Sequence, residues 1–147
     1  METGGFKGKS REVSRDELYE MFANRLGLPP TSCVSEYSMT ELSSQAYTDD
    51  LLRRHVENAT DRRGILRTPP WARVDIVDPA SLEVISEPNS RGLIRWYDLA
   101  NVGSVLAVQT TDMGERTADG GFRLYGRAPD SDLRGCSLTI EEIVDAN

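Results

Sequence analysis

The chain has 147 residues, a net charge of −7 and a pI near 4.8. This length suffices for one ordinary domain, or for two small subdomains that share a core. The negative charge argues against nucleic acid and an anionic membrane surface as partners, because both would repel the chain. No apolar signal segment opens the sequence, and no apolar run approaches the roughly 20 residues of a membrane span, so we expect a cytoplasmic protein.

The first segment, Thr3 to Ser10, is a glycine-rich loop in sequence. Gly8-Lys9-Ser10 resembles the end of a phosphate-binding loop, but Thr3 stands where the first glycine is required. Gly4 and Gly5 remain candidates for close approach to a flat ligand, and a flexible N-terminus is an equal alternative.

A helix is predicted to follow. Ser14-Arg15-Asp16-Glu17 is a capping box, and Gly27 with Pro29-Pro30 predicts the end of the helix. Apolar residues at helical spacing predict that one face packs in the core; they are Leu18, Met21, Phe22 and Leu26.

The next segment with chemical potential is Tyr37-Ser38-Met39-Thr40-Glu41, which follows a short predicted strand ending at Cys33-Val34-Ser35. A phenol can stack on a nucleobase, a threonine hydroxyl can bind a phosphate oxygen, and a carboxylate can hold Mg²⁺. Taken alone, the segment fits a plain strand-to-turn connection equally well.

Residues 45–67 are polar and hard to assign, apart from a short helix over 50–58. Four arginines there predict a solvated basic face. Beyond them, short strands separated by turns predict a small β-barrel or sandwich. The strands are Trp71–Val77, Leu82–Ile85, Gly92–Tyr97, Val105–Thr110 and Phe122–Arg127, and a second capping box at Thr139-Ile140-Glu141-Glu142 predicts a final short helix.

Three segments in order resemble motifs of the adenylate-forming superfamily, which includes acyl-CoA synthetases and luciferases. Tyr37 to Glu41 resembles its Tyr-Gly-x-Thr-Glu motif, Gln109 to Gly114 its Thr-Gly-Asp segment, and Gly126 to Asp130 its Gly-Arg-x-x-Asp segment. Within the superfamily the chain most resembles the acyl-protein synthetases of bacterial bioluminescence. That likeness rests on Glu2 to Gly8, Leu42-Ser43-Ser44-Gln45, Pro69-Pro70-Trp71, Asp98-Leu99-Ala100-Asn101 and Arg134 to Leu138.

The resemblance implies ATP or AMP and Mg²⁺ as cofactors. Tyr37 would stack on adenine beside Gly4 and Gly5, Thr40 would hold the α-phosphate, and Glu41 would bind Mg²⁺. Asp112 would accept the ribose hydroxyls, and Arg127 would reach the ribose or phosphate. Taken singly, Asp112-Met113-Gly114 is also good turn chemistry, and Arg127 is equally a surface ion-pair residue. Ser38 replaces the family glycine, which puts the length of the acyl substrate in doubt.

The resemblance also gives Cys136 a role as the acceptor of an acyl group, carried as a thioester. A preceding glycine, a following helix N-terminus and nearby Arg134 would favour its thiolate. A small buried structural cysteine is the equal alternative at Cys136, and the structural role is favoured for Cys33.

The predicted fold is α/β, with α+β character: the edge of an α/β layer followed by a small distorted antiparallel β-barrel. We divide it into an α/β nucleotide-binding part (1–68), the barrel (69–130) and a tail with the acceptor cysteine (131–147). The family's phosphate loop and first acyl-binding half have no counterpart here, so we expect a C-terminal portion needing a companion chain. The expected activity is fatty-acid activation as acyl-AMP, transfer to Cys136 and delivery to an acyl reductase. A non-catalytic acyl-acceptor or docking module, and an inactive fragment of an aryl-CoA or acyl-CoA ligase-like enzyme, are the alternatives.

Overall fold

The structure is a computed structural model that describes residues 1–3 and 13–128. Its elements are β1 (Glu2–Thr3), α1 (Arg15–Leu26), β2 (Ser35–Tyr37), β3 (Ala46–Thr48), α2 (Asp50–Val56), β4 (Leu66–Arg67), β5 (Ala72–Val77), β6 (Arg91–Asp98), β7 (Ala107–Arg116) and β8 (Phe122–Arg127). A single 3₁₀ turn, Pro30–Ser32, separates α1 from β2. No helix in these residues has the length and apolar character needed to cross a membrane.

The eight strands form one sheet in the order β1-β2-β3-β4-β8-β7-β6-β5. Only β1 and β2 pair in parallel; every other neighbouring pair is antiparallel. The mixed α and β class, with its mainly antiparallel second half, is as predicted. Both predicted segments, 1–68 and 69–130, contribute to this sheet, and their division into subdomains stays a prediction.

The sheet curls so strongly that strands distant in its order meet. β2 and β7 are four strand spacings apart, which would separate them by about 19 Å in a flat sheet. Instead, the hydroxyl of Tyr37 in β2 lies 2.7 Å from a carboxylate oxygen of Asp112 in β7. Register shifts at Leu93/Arg95 and at Met113/Gly114 mark irregularities in the long strands, and irregularities of this kind bend a sheet locally.

The core fills the inside of this curl. Trp96 in β6 is fully buried, and its ring lies 5.9 Å from that of Tyr37 and 6.2 Å from that of Phe122. Aromatic rings at such separations attract one another beyond their burial. The core cluster comprises Tyr37, Ala46, Leu66, Ile76, Ile94, Trp96 and Phe122.

Helix α1 begins and ends as predicted, but the prediction of which face packs in the core is wrong. Ser14 accepts a hydrogen bond from the amide of Glu17, and Gly27 ends the helix in the left-handed conformation. Yet Tyr19 is its one buried residue, whereas Met21 is 38% and Leu26 64% exposed. Hydrogen bonds hold Tyr19 in this buried position, because its hydroxyl contacts Glu2, Ser35 and Arg62 at 2.7–2.9 Å.

The arginines of α2 and of the segment between α2 and β4 also differ from the predicted solvated face. Asp50 is fully buried and accepts hydrogen bonds from the backbone amides of Arg63 and Gly64. The side chains of Arg53 and Arg62 are only 11% and 15% exposed, and each forms an ion pair with Asp50. These two arginines therefore neutralise a buried carboxylate.

Two strand predictions change. Residues 82–85 contribute a single bridge, between Val84 and Val77, because Leu82 takes a positive φ of 58° after a turn capped by Asp78. Conversely, β7 continues to Arg116, so that Asp112-Met113-Gly114 lies inside a strand and does not form a turn. The short strands β1, β3 and β4 were not predicted, and β2 begins at Ser35, where the predicted strand was expected to end.

Candidate functional site

Tyr37 ends β2 with its ring in the aromatic core. The residue is 6% exposed, and Phe122 packs against the ring in an edge-to-face arrangement at 5.9 Å. Stacking on adenine requires a ring face that a ligand can reach. In this conformation Tyr37 therefore offers its hydroxyl, which donates to Oδ2 of Asp112, more than its ring face.

Asp112 lies beside the register shift at Met113/Gly114, where the sheet bends. Its amide donates to the hydroxyl of Thr110 at 3.1 Å, and that hydroxyl in turn donates to the Ile94 carbonyl at 2.8 Å. The backbone that carries the carboxylate is thus tied to β6 as well as to β8. A carboxylate held in this way has a defined direction.

Arg127 is the partner of Asp112 across the β7–β8 ladder. Its Nε lies 3.9 Å from Oδ1 of Asp112, and its side chain is 43% exposed. The guanidinium is therefore part of the same cluster, although the long distance makes it a weak ion pair. Three residues from three strands, Tyr37, Asp112 and Arg127, meet at one place.

The electrostatics of this cluster favour a neutral phenol. Burial raises the pKa of Tyr37, and the charge and the hydrogen bond of Asp112 raise it further, because both oppose a second negative charge. Tyr37 consequently keeps its proton throughout the physiological range and remains a donor to the carboxylate.

Thr40 and Glu41 lie in the exposed turn that follows Tyr37. The turn is closed by a bond from the Leu42 amide to the Met39 carbonyl, and Asn101 donates to the Glu41 carbonyl at 2.8 Å. Ser38, where the resembled motif has glycine, is exposed and donates to Glu36. Gly4, Gly5 and Cys136 lie outside the described residues.

The loop beyond this turn has a support that the sequence prediction missed. Asp98 is fully buried and accepts hydrogen bonds from the amides of Ser43 and Ser44 and from the Ser44 hydroxyl. Burial alone would raise the pKa of Asp98, but these bonds and that of the Ala100 amide lower it overall. The available signal was the position of Asp98, which continues the inward alternation of Gly92, Ile94 and Trp96 along β6.

A cleft of about 560 Å³ opens beside this loop, and it is not lined by Tyr37, Asp112 or Arg127. Trp71, 52% exposed, forms part of its wall and is fixed by a 2.9 Å hydrogen bond from its indole nitrogen to Ser44. Tyr47 adds a second aromatic side chain. Because Ala46 pairs with Tyr37, Tyr47 points to the opposite face of β3.

Among the described residues there is no group of three or more His, Cys, Asp or Glu that could hold a metal ion. Magnesium that arrives with nucleotide phosphates needs only one or two protein carboxylates, since phosphate and water oxygens complete its shell. An exposed Glu41 meets that requirement, so the residue types present fit a metal carried by ATP.

Comparison with solved structures shows what this fold is. A luciferase-like enzyme from the nonluminescent mealworm Zophobas morio superposes with a TM-score of 0.53 at 18% identity, over 81% of this chain and 30% of that one. Apo MatB from Rhodopseudomonas palustris gives 0.55 at 14%, over 87% and 25%. O-succinylbenzoate coenzyme A synthetase from Bacillus subtilis, in complex with AMP, gives 0.50 at 21%, over 80% and 31%.

The described residues therefore share the fold of part of each of these three proteins. The chain spans between a quarter and a third of the length of these three proteins. No family model matches the sequence, and no curated protein does.

Proposed function

We propose that the chain is part of an ATP-dependent, acyl-adenylating ligase, and that Tyr37, Asp112 and Arg127 lie at the AMP moiety. The observation that carries this proposal is the meeting of these three residues, which come from β2, β7 and β8. Each belongs to a different segment of the resemblance, and the fold is that of the enzymes to which those motifs belong.

The chemistry of each side chain suits the role. An ionised Asp112 has two acceptor oxygens for the ribose hydroxyls. Arg127 is sufficiently exposed to direct its planar guanidinium at the ribose or the phosphate. Thr40 supplies a hydroxyl for the α-phosphate, and Glu41 supplies a carboxylate for the Mg²⁺ that accompanies ATP.

The proposed first step forms a mixed anhydride. A carboxylate oxygen of the fatty acid attacks the α-phosphorus, the bond to the bridging oxygen of pyrophosphate breaks, and acyl-AMP and pyrophosphate result. Charge that develops on the phosphate oxygens is the target for Arg127 and the metal. Positioning of the two substrates supplies much of the remaining acceleration.

In the finer proposal, the enzyme is an acyl-protein synthetase. The Cys136 thiolate attacks the acyl carbon, the bond to the AMP oxygen breaks, and AMP leaves while a thioester forms. A reductase partner then takes the acyl group. In this proposal a companion chain supplies the remaining substrate-binding residues; the chain itself spans at most about a third of the length of the neighbouring structures.

Nucleotide binding is the first test. The 147-residue chain should bind AMP in isothermal titration calorimetry, and Asp112→Asn and Arg127→Gln should each weaken binding by about tenfold, the loss of one charge-assisted hydrogen bond. The control is Glu57→Gln, which alters an exposed carboxylate at the end of α2. Equal AMP affinity in wild type and Asp112→Asn would contradict the proposal.

Activity is tested by ATP–pyrophosphate exchange with a fatty acid, in the presence of a companion chain that supplies the remainder of the enzyme. If the enzyme is an acyl-protein synthetase, the wild-type protein should catalyse the exchange and then carry a stable acyl label. Cys136→Ser should catalyse the exchange but carry no label. Exchange with transfer to coenzyme A would instead identify a coenzyme A ligase.

A further inference from the structure

Tyr37 and Asp112 form a buried hydroxyl–carboxylate pair across the curl of the sheet. We infer that Tyr37 is a positioning residue, whose hydroxyl fixes the Asp112 carboxylate in the orientation that receives the ribose hydroxyls. The inference rests on the proposed function, and it gives Tyr37 a role that differs from stacking on adenine. The evidence is the geometry of the pair and the enclosure of the ring.

The phenol is held rigidly enough to position its partner. Its ring lies between Trp96 and Phe122, at 5.9 Å from each ring centroid, and the residue is 6% exposed. A tyrosine packed in this way has one rotamer available without disrupting the core. The place of its hydroxyl is therefore fixed by the curled sheet.

The carboxylate is held on one side only. Oδ2 of Asp112 accepts the 2.7 Å hydrogen bond from Tyr37. Oδ1 lies 3.9 Å from Nε of Arg127, whose side chain is 43% exposed. The Asp112 side chain is itself 22% exposed. Oδ2 is thus engaged from the core side, and a ligand that approaches along Arg127 meets a carboxylate whose rotation is already restricted.

Such restriction lowers the entropic cost of binding, because the carboxylate does not have to be ordered when the ribose arrives. The raised pKa of Tyr37 supports the same role, since a phenol that keeps its proton remains a donor. The consequence is specific: Tyr37 should affect recognition of the ribose hydroxyls, while leaving recognition of the base and phosphate unchanged.

The experiment compares the affinity of the 147-residue chain for AMP with that for 2′,3′-dideoxy-AMP. The variants are Tyr37→Phe, Asp112→Asn and the double variant. Tyr125→Phe is the matched control, because the Tyr125 hydroxyl in β8 also donates to a carboxylate, that of Glu115 in β7, at 2.8 Å. Phenylalanine preserves ring packing, so each tyrosine variant removes one hydroxyl.

Wild type and Tyr125→Phe should prefer AMP over the dideoxy analogue by about tenfold or more. Tyr37→Phe should reduce that preference by about threefold to tenfold without changing the affinity for the analogue. Asp112→Asn should largely abolish the preference for AMP. The double variant should show the same residual preference as Asp112→Asn alone.

The outcomes separate the two claims. A wild-type preference that Tyr37→Phe leaves intact overturns the positioning role alone. An equal loss of affinity for both nucleotides in Tyr37→Phe also overturns it, because that is the effect of a merely structural tyrosine. A wild type that binds neither nucleotide, or binds both equally, overturns the proposed AMP site and the positioning role together.

Discussion

The carboxylate of Asp98 binds Ser44 twice, accepting from its amide at 2.8 Å and from its hydroxyl at 2.9 Å. Ser44 also accepts a hydrogen bond from Trp71. One buried acid at the end of β6 thereby fixes the loop after the Tyr37–Glu41 turn and one wall of the neighbouring cleft. The segments Leu42 to Gln45 and Asp98 to Asn101 both carry the resemblance, and the structure shows that they are hydrogen-bonded to each other.

Asp98→Asn should destabilise the protein by about 2–4 kcal/mol, because the amide loses charge-assisted bonds and brings a buried donor without a matching acceptor. Urea unfolding at neutral pH measures the loss. The matched control is Asp78→Asn, since Asp78 also accepts two backbone amide bonds but lies in an exposed turn, and its loss should be clearly smaller. Equal losses would contradict the importance of burial at Asp98.

Acid should act on the same bonds. The folded-state pKa of Asp98 is lowered, so its stabilising contribution is present above the unfolded value near 3.8 and is lost as pH falls towards the lower folded value. Urea midpoints measured from pH 6 to about pH 3 should therefore fall less steeply in Asp98→Asn than in wild type. Parallel curves for the two proteins would contradict this assignment.

Gly114→Ala should destabilise the protein by about 1–3 kcal/mol. A Cβ at this position would lie 2.7 Å from Cγ1 of Ile94, a fully buried β-branched residue, and 3.0 Å from the Arg123 carbonyl oxygen. Gly103→Ala is the control, because a Cβ there meets no atom within 4 Å. Thermal unfolding of both variants decides the matter, and a neutral Gly114→Ala would mean that the strands separate more easily than the packing indicates.

Arg62→Gln should cost about 2–4 kcal/mol in the free energy of unfolding, because it removes one of the cations that neutralise buried Asp50. It also removes the guanidinium that lies 4.1 Å from the Tyr19 ring centroid. Arg25→Gln, at the exposed end of α1, is the control and should stay within about 0.5 kcal/mol of wild type. A similarly small loss of stability in Arg62→Gln and Arg25→Gln would show that the backbone amides of Arg63 and Gly64 are sufficient to stabilise the buried Asp50 carboxylate.

Alkaline pH should weaken the fold through Tyr19. Burial raises its pKa to about 12 from an ordinary value of 10.0, and the Glu2 hydrogen bond contributes in the same direction. The stabilisation is present below pH 10 and is lost as pH rises from 10 towards 12, by up to about 1.4 kcal/mol per pH unit. Urea midpoints between pH 8 and about pH 11 should fall less steeply in Tyr19→Phe, and an unchanged slope would contradict this source.

Local signals predicted much of the fold. Ser14 and Gly27 bounded α1 correctly because caps act within one turn, and the alternation around Ile94 and Trp96 identified β6 for the same local reason. The buried face of α1 was wrong because Tyr19 is selected by distant hydroxyl and guanidinium partners. Strands β3 and β4, of three and two residues, are too short to show an alternating pattern in the sequence.

The candidate site was predictable as three segments but not as a geometry. Tyr37, Asp112 and Arg127 were identified from motif order, and their contact depends on a curl of the sheet that no local pattern encodes. The Tyr37–Asp112 bond joins residues 75 positions apart, so local sequence spacing could not predict it. The roles of all the site residues, Tyr37, Asp112 and Arg127 as well as Thr40, Glu41, Gly4, Gly5 and Cys136, stay predictions.

The two tryptophans of the chain have opposite environments: Trp96 is fully buried at the centre of the core, and Trp71 is half exposed at the cleft. Their intrinsic fluorescence should therefore separate into a blue-shifted component that acrylamide cannot quench and a red-shifted component that it can. Trp71→Phe would leave an emission that reports unfolding alone. Trp96→Phe would leave one that reports occupancy of the cleft, so the molecule carries its own pair of optical probes.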